Sequence, residues 1–245
     1  MGKVRLIAAC VLVLALGGCA GPAAQVAAEP KVDAKALLAA STEEMKAGDY
    51  AFTVGAPDAH GMGVVHLPSR SAKYTVIGEN ASLNLNMEVV LAGGDAWVRA
   101  TSTTGEDAYG EGLNPKTWRH VAESRIAKGH SIDLDAVGWA DVSPLLTAVI
   151  EAHGDGRVLA GTLNATEGAA GGGFLNPTAV QGVARAASAP FTATLDDRGR
   201  LTSFEVDLDG KWTLTVSGYG EQQAVAEPSG AVAEASETAL EWFNS

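Results

Sequence analysis

The chain has 245 residues, of which 47% are hydrophobic and only 6% aromatic, so its core is expected to be mostly aliphatic. It carries 29 acidic against 17 basic residues, which gives a formal net charge of −12 at pH 7. This acidic balance argues against a nucleic-acid partner and against broad electrostatic attraction to anionic lipid headgroups.

The first 19 residues are typical of a bacterial lipoprotein precursor. Two basic residues precede an apolar run from Leu6 to Leu16, which is too short to span a bilayer but suits a signal-peptide core. The run ends in Leu16-Gly17-Gly18-Cys19, which looks like a lipobox. We therefore predict a signal peptide over residues 1–18 and acylation of Cys19 with chains such as palmitate. The alternative is an ordinary secretory signal with a chance cysteine.

This assignment predicts how the mature chain is held. Two or three acyl chains give a stable anchor, so the protein is expected on the outer face of the bacterial cytoplasmic membrane. Cys10 lies in the leader and Cys19 would be a thioether, so no disulfide is expected. Residues 19–32 then form the lipidated cysteine and a flexible tether, because Ala, Gly and Pro dominate them.

The first folded segment is predicted to be a helix followed by a run of strands. Asp33 is a plausible N-cap, and the helix is expected to stop at Gly48. Alternating apolar and polar residues then predict strands. These are Tyr50–Val54, Gly61–Leu67, Lys73–Ile77, Leu83–Leu91, Ala96–Ala100 and a short one at Trp118.

Two helices are predicted in the middle of the chain. The first covers Asp141 to Ala152, with Ser143 as the N-cap and Pro144 at the first helical position. The second starts at Asn176-Pro177 and ends before Pro190. A strand, Val158–Ala165, and a flexible glycine-rich loop, Gly168–Gly173, are expected between them.

The segment from Phe191 to Gly220 predicts three antiparallel strands in succession. Apolar residues alternate with polar ones through each strand, so the sheet has one dry and one wet face. Asp209-Gly210 is a favoured two-residue hairpin turn. After this meander, residues 221–230 are polar, and Ala231–Phe243 is expected to form a terminal helix.

No motif for catalysis or for binding a cofactor or metal is present. The glycine cluster lacks the lysine of a phosphate loop, and no serine sits in a Gly-x-Ser-x-Gly elbow. The five histidines form no metal-ligand spacing. Glu205 and Asp207 share one strand face, where a solvated surface is a better account than acid–base chemistry. We therefore predict no enzyme, no cofactor and no metal.

The order of these elements resembles the LppX/LprG family of actinobacterial envelope lipoproteins, which shares a half-barrel fold with the LolA/LolB carriers. The resemblance rests on the lipobox, the tether, the helix and strand order, and the meander with Leu195-Asp196-Asp197-Arg198-Gly199-Arg200-Leu201 and Ser217-Gly218-Tyr219-Gly220-Glu221. It implies an α+β fold: a strongly curved antiparallel sheet with helices plugging its concave face. The implied half-barrel domain covers residues 33–220, and residues 221–245 form a C-terminal extension.

Two functions remain open at this point. The resemblance implies an envelope lipoprotein that binds, and in some members carries, an acylated lipid or glycolipid in an apolar cavity. The alternative is a non-catalytic structural or interaction lipoprotein with a solid core, whose protein partner the sequence does not identify. The residues predicted to line the cavity, or to fill the core, are Leu83, Leu85, Met87, Val89, Leu145, Leu146, Val149, Phe204, Val206, Leu208, Trp212, Leu214 and Val216.

Overall fold

A computed structural model describes residues 33–80, 83–102, 115–127, 132, 140–175 and 177–243. The described part contains one sheet of twelve strands, in the spatial order β12-β6-β5-β4-β3-β2-β1-β11-β10-β9-β8-β7. The strands are β1 Asp49–Ala56, β2 Ala59–His66, β3 Ser71–Asn80, β4 Leu83–Ala92, β5 Asp95–Ser102, β6 Thr117–Val121, β7 Val149–Gly154, β8 Val158–Leu163, β9 Ala189–Leu195, β10 Leu201–Asp207, β11 Lys211–Ser217 and β12 Ala231–Glu234. Every neighbouring pair is antiparallel except β12 and β6, which are parallel.

The helices of the described part are short. They are α1 Ala34–Ala40, α2 Glu43–Ala47, α3 Ser143–Thr147, α4 Ala165–Ala170, α5 Pro177–Val180 and α6 Glu237–Phe243. α1 packs on β7 and α3, while α4 packs on α3 and α5. None of the helices in these described ranges is long and apolar enough to cross a bilayer.

One face of the sheet, here called the inner face, carries the hydrophobic core. Alternation places every second residue on this face, and the register aligns them in rows across the strands. One row joins Val98, Val89, Tyr74, Gly63, Phe52 and Val216, and another joins Leu214, Phe204, Ala193 and Leu159. These apolar side chains belong to one cluster with the buried residues of α1, α3 and α4. The sheet is therefore covered by helices on this face.

Glycines in β2 show that the sheet curves towards the inner face. Gly63 pairs directly with Tyr74 of β3. A Cβ atom at Gly63 would lie 2.5 Å from the Tyr74 Cβ, whereas opposed Cβ atoms usually lie about 4.5–5.5 Å apart. The inner faces of β2 and β3 therefore lean towards each other here, and glycine leaves the space that this bend requires. The predicted fold class, a curved, open, mostly antiparallel sheet with helices on the concave side, is confirmed.

The predicted first helix is interrupted once. Asp33 is the N-cap, and its Oδ1 accepts a hydrogen bond of 3.1 Å from the Ala36 amide. The helix breaks at Ser41 and Thr42, two buried polar residues, and resumes until Gly48. The Ser41 hydroxyl donates to the Leu38 carbonyl at 2.7 Å, a local bond that competes with the helix ladder.

The predicted helix from Asp141 to Ala152 is wrong in its second half. Pro144 lies in the first turn of α3 as expected, but α3 ends at Thr147, and its N-cap is Val142, not Ser143. From Val149 the chain is strand β7, which pairs with β8. Val149 and Ile150 are β-branched, so they fit a strand better than a helix once a partner strand is available.

The region from Val158 to Pro190 also differs from the prediction. Strand β8 ends at Leu163, and part of the expected flexible loop is helix α4, whose N-cap is Asn164. Gly168 is buried in α4, where a Cβ would lie 2.7 Å from a methyl carbon of Leu145. The second predicted helix is reduced to α5, because Gly182 turns the chain with φ +77°. Asn176 lies outside the described residues.

The segment predicted as a C-terminal extension is part of the same folded unit, Val32–Ser245. Its expected terminal helix is instead a strand, β12, followed by the shorter helix α6. β12 joins the sheet beside β6, and the Ala235 amide donates to the His120 carbonyl at 2.9 Å. Leu240 and Phe243 of α6 are buried in the main core cluster.

Candidate functional site

The inner face of the sheet and the helices on it bring together most of the residues predicted to line a cavity. The meander, β9 to β11 with its turns, supplies six of them. Leu85, Met87 and Val89 lie on the inner face of β4, while Phe204, Val206, Leu208, Leu214 and Val216 come from the meander. Leu145 and Leu146 of α3 and Val149 of β7 join the same cluster, and Trp212 is partly buried against it. Cys19 and the side chain of Leu83 lie outside the described residues. The role of these positions in lipid binding stays a prediction.

A short segment, residues 171–175, covers the meander and is here called the cover segment. Phe174 stands edge-on to Phe204, with ring centroids 6.2 Å apart, and edge-on to Trp212 at 6.3 Å. Phe204 in turn stacks on Phe191 at 5.9 Å. Edge-to-face and offset-stacked geometries are the favourable ones for aromatic pairs. The centre of the inner face is therefore an aromatic cluster on which the cover segment closes.

Glycine and backbone contacts hold the cover segment. The Phe174 amide donates to the Asp141 carbonyl at 2.9 Å. A Cβ at Gly173 would lie 2.4 Å from that same carbonyl oxygen, and Gly173 has φ +92°. Only glycine allows this close approach at a positive φ. Gly172, also at positive φ, has open space around it, so the chain between α4 and Phe174 has one residue without close neighbours.

Packing beneath the cover segment is complete. Phe204, Val206 and Leu214 are 0% exposed. A side chain that borders a void wide enough for water keeps measurable exposure, so no water-sized gap touches these three. In this conformation the inward-facing side chains of the meander contact other side chains of the protein and leave no room for a ligand beside these three residues.

Tyrosines and an arginine close one end of the inner face. The Tyr219 hydroxyl donates to the Leu201 carbonyl at 2.6 Å, and its ring lies 6.2 Å from that of Tyr50. The Arg200 guanidinium stacks on the Tyr219 ring at 4.6 Å and pairs with Asp196 at 2.7 Å. Burial raises the pKa of both Tyr50 and Tyr219 well above the usual range, so both stay neutral.

A second cluster lies on the outer face and contains Val90, Trp97 and Trp118. The Arg99 guanidinium stands 4.4 Å above the Trp118 ring and donates to both Glu88 carboxylate oxygens at 2.8 Å. Val225 packs against this cluster, and its amide donates to the Ser71 hydroxyl at 2.8 Å. The chain after the meander therefore runs over the outer face before it forms β12.

The structure also contains a serine–histidine contact that the sequence did not predict, between Ser69 and His66. His66 Nδ1 lies 2.7 Å from the Ser69 hydroxyl and 3.2 Å from the Ser69 amide, within a single 3-10 turn. An acceptor that takes both bonds caps this turn, which accounts for the contact without catalysis. The spacing of three residues was visible in the sequence, but the turn geometry that joins them was not. Glu205 and Asp207 form surface ion pairs with Lys211 and Arg185, as expected for a solvated face.

Two of the open clefts formed by described residues lie away from the meander's inner face. One, of about 700 Å³, lies beside α1 and contains four aspartates and Arg157. The other, of about 490 Å³, is bounded by Arg125 and by Glu237, Leu240 and Glu241 of α6. Among the described residues, no three His, Cys, Asp or Glu side chains form a metal-binding group.

Comparisons with known proteins bear on the fold. No protein-family model matches the chain, and no curated protein matches it. The crystal structure of the lipoprotein LppX from Mycobacterium tuberculosis is similar over 78% of this chain and 98% of that chain, with 17% sequence identity and a TM-score of 0.47. It belongs to the group of lipoproteins that the sequence resembles.

Proposed function

We propose that the chain is an extracytoplasmic bacterial lipoprotein, anchored through an acylated Cys19, that binds an acylated lipid or glycolipid on the inner face of its sheet. The observation that carries this proposal is the nature of the inner face's cover. The meander's apolar face is closed by the cover segment with Phe174, where a second sheet or a long helix would make a permanent core. Each helix beside it has six residues or fewer.

The energetics of lipid extraction set what such a site must supply. Each CH₂ of an acyl chain loses about 0.8 kcal/mol when it leaves a bilayer for water. A carrier offsets this cost only if it encloses the chain in apolar surface. Displacement of Phe174 would uncover Phe204 and Trp212 and offer the chain that surface in place of the ring. Gly172, which has positive φ and open space around it, gives the cover segment backbone freedom for such a movement.

A second candidate is a non-catalytic interaction lipoprotein with a permanently solid core. The complete burial of Phe204, Val206 and Leu214 favours it, because a fully packed interior needs no ligand.

For both candidates we propose that the protein is not an enzyme. Esterase substrates should give background rates, and a rate that disappears in Ser69→Ala would contradict this.

Lipid content separates the two candidates. Full chain made in a bacterial envelope and purified in detergent is extracted with solvent, and uptake of a phospholipid from vesicles is followed by native mass spectrometry. Phe174→Ala should increase uptake severalfold because it opens the cover. Trp118→Ala removes a buried ring from the outer-face cluster and serves as the control, since it leaves the inner face and its cover intact. Val206→Trp, which puts a larger side chain on the inner face opposite Trp212, should lower uptake in protein that circular dichroism shows to be folded.

If neither the wild-type chain nor Phe174→Ala holds or takes up lipid, the lipid-binding proposal fails and the solid-core candidate stands.

The membrane anchor is tested separately. Cys19→Ala should move the protein from the membrane to the soluble fraction, whereas Cys10→Ala, in the predicted leader, should not. A Cys19→Ala protein with unchanged mass and membrane fraction would contradict the anchor.

A further inference from the structure

Residues 231–243, here called the C-terminal strap, lie along the β6 edge of the sheet. Four residues of the strap form β12, and the next element, α6, inserts Leu240 and Phe243 into the main core. The strap thus joins an edge of the sheet to the core. β12 is short, and Val232 remains 48% exposed, so burial of the strand contributes little to holding the strap in place.

His120 of β6 lies between two carboxylates that belong to different parts of the chain. Its Nδ1 is 2.9 Å from Glu234 Oε1 on β12, and its Nε2 is 2.9 Å from Asp95 Oδ2 at the start of β5. The Trp97 ring packs beside the imidazole at 5.2 Å, and the histidine side chain is 20% exposed. The ring therefore connects the strap to the body of the sheet through both nitrogens.

This geometry requires the doubly protonated imidazole. A neutral imidazole has one N–H, so it can donate to one carboxylate only, and its other nitrogen would present a lone pair to the second. The imidazolium donates to both. Burial lowers the pKa of His120, but the hydrogen bonds that it donates to Asp95 and Glu234, and the negative charges of these carboxylates, outweigh burial and raise that pKa.

The other charged groups around His120 in the described residues are already engaged. The Glu123 amide donates to the other oxygen of Asp95 at 2.9 Å, and its carboxylate pairs with Arg70 at 3.0 Å. On the strap side, Glu237 of α6 pairs with Arg125 at 2.6 Å. Arg99 of β5 is committed to Glu88. Arg119, the neighbour of His120 in β6, occupies the alternate position of the strand and has interactions of its own. Asp95 and Glu234 are thus the groups whose charge His120 balances.

We propose that the C-terminal strap is a proton-gated cover of the β6 edge, closed while His120 bridges Asp95 and Glu234 and loosened when His120 gives up its proton. Loosening separates β12 from β6 and withdraws α6 from the core, which opens the inner face at this edge. The gate stands independently of lipid binding, because it depends only on the histidine and its two carboxylates.

The direction of the pH dependence follows from the coupling between protonation of His120 and closure of the strap. A histidine whose pKa is higher in the closed state stabilises that state at low pH, and the effect disappears as pH rises through the raised value. The strap is therefore tightest in acid and loosest in alkaline solution. Each unit of pKa difference between closed and open strap changes the equilibrium about tenfold. Because Glu234 is 72% exposed, solvent screening reduces its share, and we expect a change of roughly three- to tenfold.

Hydrogen–deuterium exchange of the full chain in detergent, read by mass spectrometry, tests the gate. Protection factors of peptides over residues 231–243, corrected for intrinsic exchange, are compared at about pH 5 and about pH 9, on either side of the ordinary histidine pKa. In the wild-type chain they should fall roughly three- to tenfold at the higher pH. In His120→Gln they should be low at both, because glutamine cannot donate to both carboxylates.

Two further variants sharpen the result. His153→Gln, on β7 at the opposite edge of the sheet, should behave like the wild-type chain. Glu234→Gln keeps a polar side chain but removes one charge, so release should move to lower pH. Strap protection that is the same at both pH values in the wild-type chain, or a pH response that survives in His120→Gln, would overturn the proposal. Neither outcome depends on whether lipid is bound.

Discussion

The substitution Phe204→Ala tests whether the inner face is as solidly packed as the structure has it. Phe204 is fully buried, stacks on Phe191 and receives the edge of Phe174. Replacing a buried phenylalanine with alanine typically costs about 3–5 kcal/mol of unfolding free energy. The two aromatic pairs, each worth about 0.5–1.5 kcal/mol, place this site in the upper half of that range. We therefore expect a loss of about 4–5 kcal/mol.

Urea unfolding followed by circular dichroism measures this loss. In a domain of this size, 1 kcal/mol lowers the melting temperature by about 2–4 °C, so Tm should fall by roughly 8–20 °C. Met62→Ala, on β2 with a 56% exposed side chain, is the control and should change stability by less than about 0.5 kcal/mol. A loss below about 2 kcal/mol for Phe204→Ala would mean that the ring borders space into which its neighbours collapse, contrary to the packing described here.

Two further predictions concern the bend of the sheet and its charged end. Gly63→Ala should lower the unfolding free energy by about 1–3 kcal/mol, because the new Cβ would lie 2.6 Å from the Lys73 carbonyl oxygen, and an unchanged urea midpoint would contradict the bend. Asp196→Asn should destabilise the protein near pH 7. Burial raises the pKa of Asp196. The hydrogen bonds from the Arg198 and Arg200 amides and from the Arg200 guanidinium lower it by more, so the pKa lies below its usual value. A lowered pKa stabilises the fold above the unfolded value of 3.8, so the gap between wild type and variant should shrink as pH falls below about 4, and a constant gap would refute this.

The strands of the meander could be predicted because their signals are local. Alternation of apolar and polar residues over seven positions sets the two faces of β9, β10 and β11, and the structure keeps these strands close to the predicted limits. The predicted two-residue hairpin at Asp209-Gly210 is one residue longer, because Asp207 pairs with Lys211 and the loop is Leu208 to Gly210. The positive φ that such a turn needs is still found at Asp209 and Gly210, at 58° and 152°. Residue type alone carries that information.

The mid-chain elements could not be predicted because their structure depends on distant partners. Val149 and Ile150 continue the apolar pattern of α3, and a helix satisfies the same spacing. They become strand β7 because β8 supplies the backbone partners, a choice that no local pattern records. The glycine-rich stretch differs for a related reason: Gly168 is part of helix α4, and it is glycine because Leu145 leaves no room there for a side chain.

The same distinction between local pattern and distant partner governs the candidate sites. Alternation identifies which side chains of β4 and the meander face inwards, but it does not say what covers them. The cover depends on Phe174, which belongs to no periodic segment and contacts residues 30 and 38 positions later in the chain, Phe204 and Trp212. The His120 bridge likewise joins residues 25 and 114 positions away. A displaceable ring and a permanent core use the same inward-facing residues, so the difference in function lies in how firmly the cover segment is held. Phe174→Ala measures that quantity directly, by opening the cover while every strand residue stays the same.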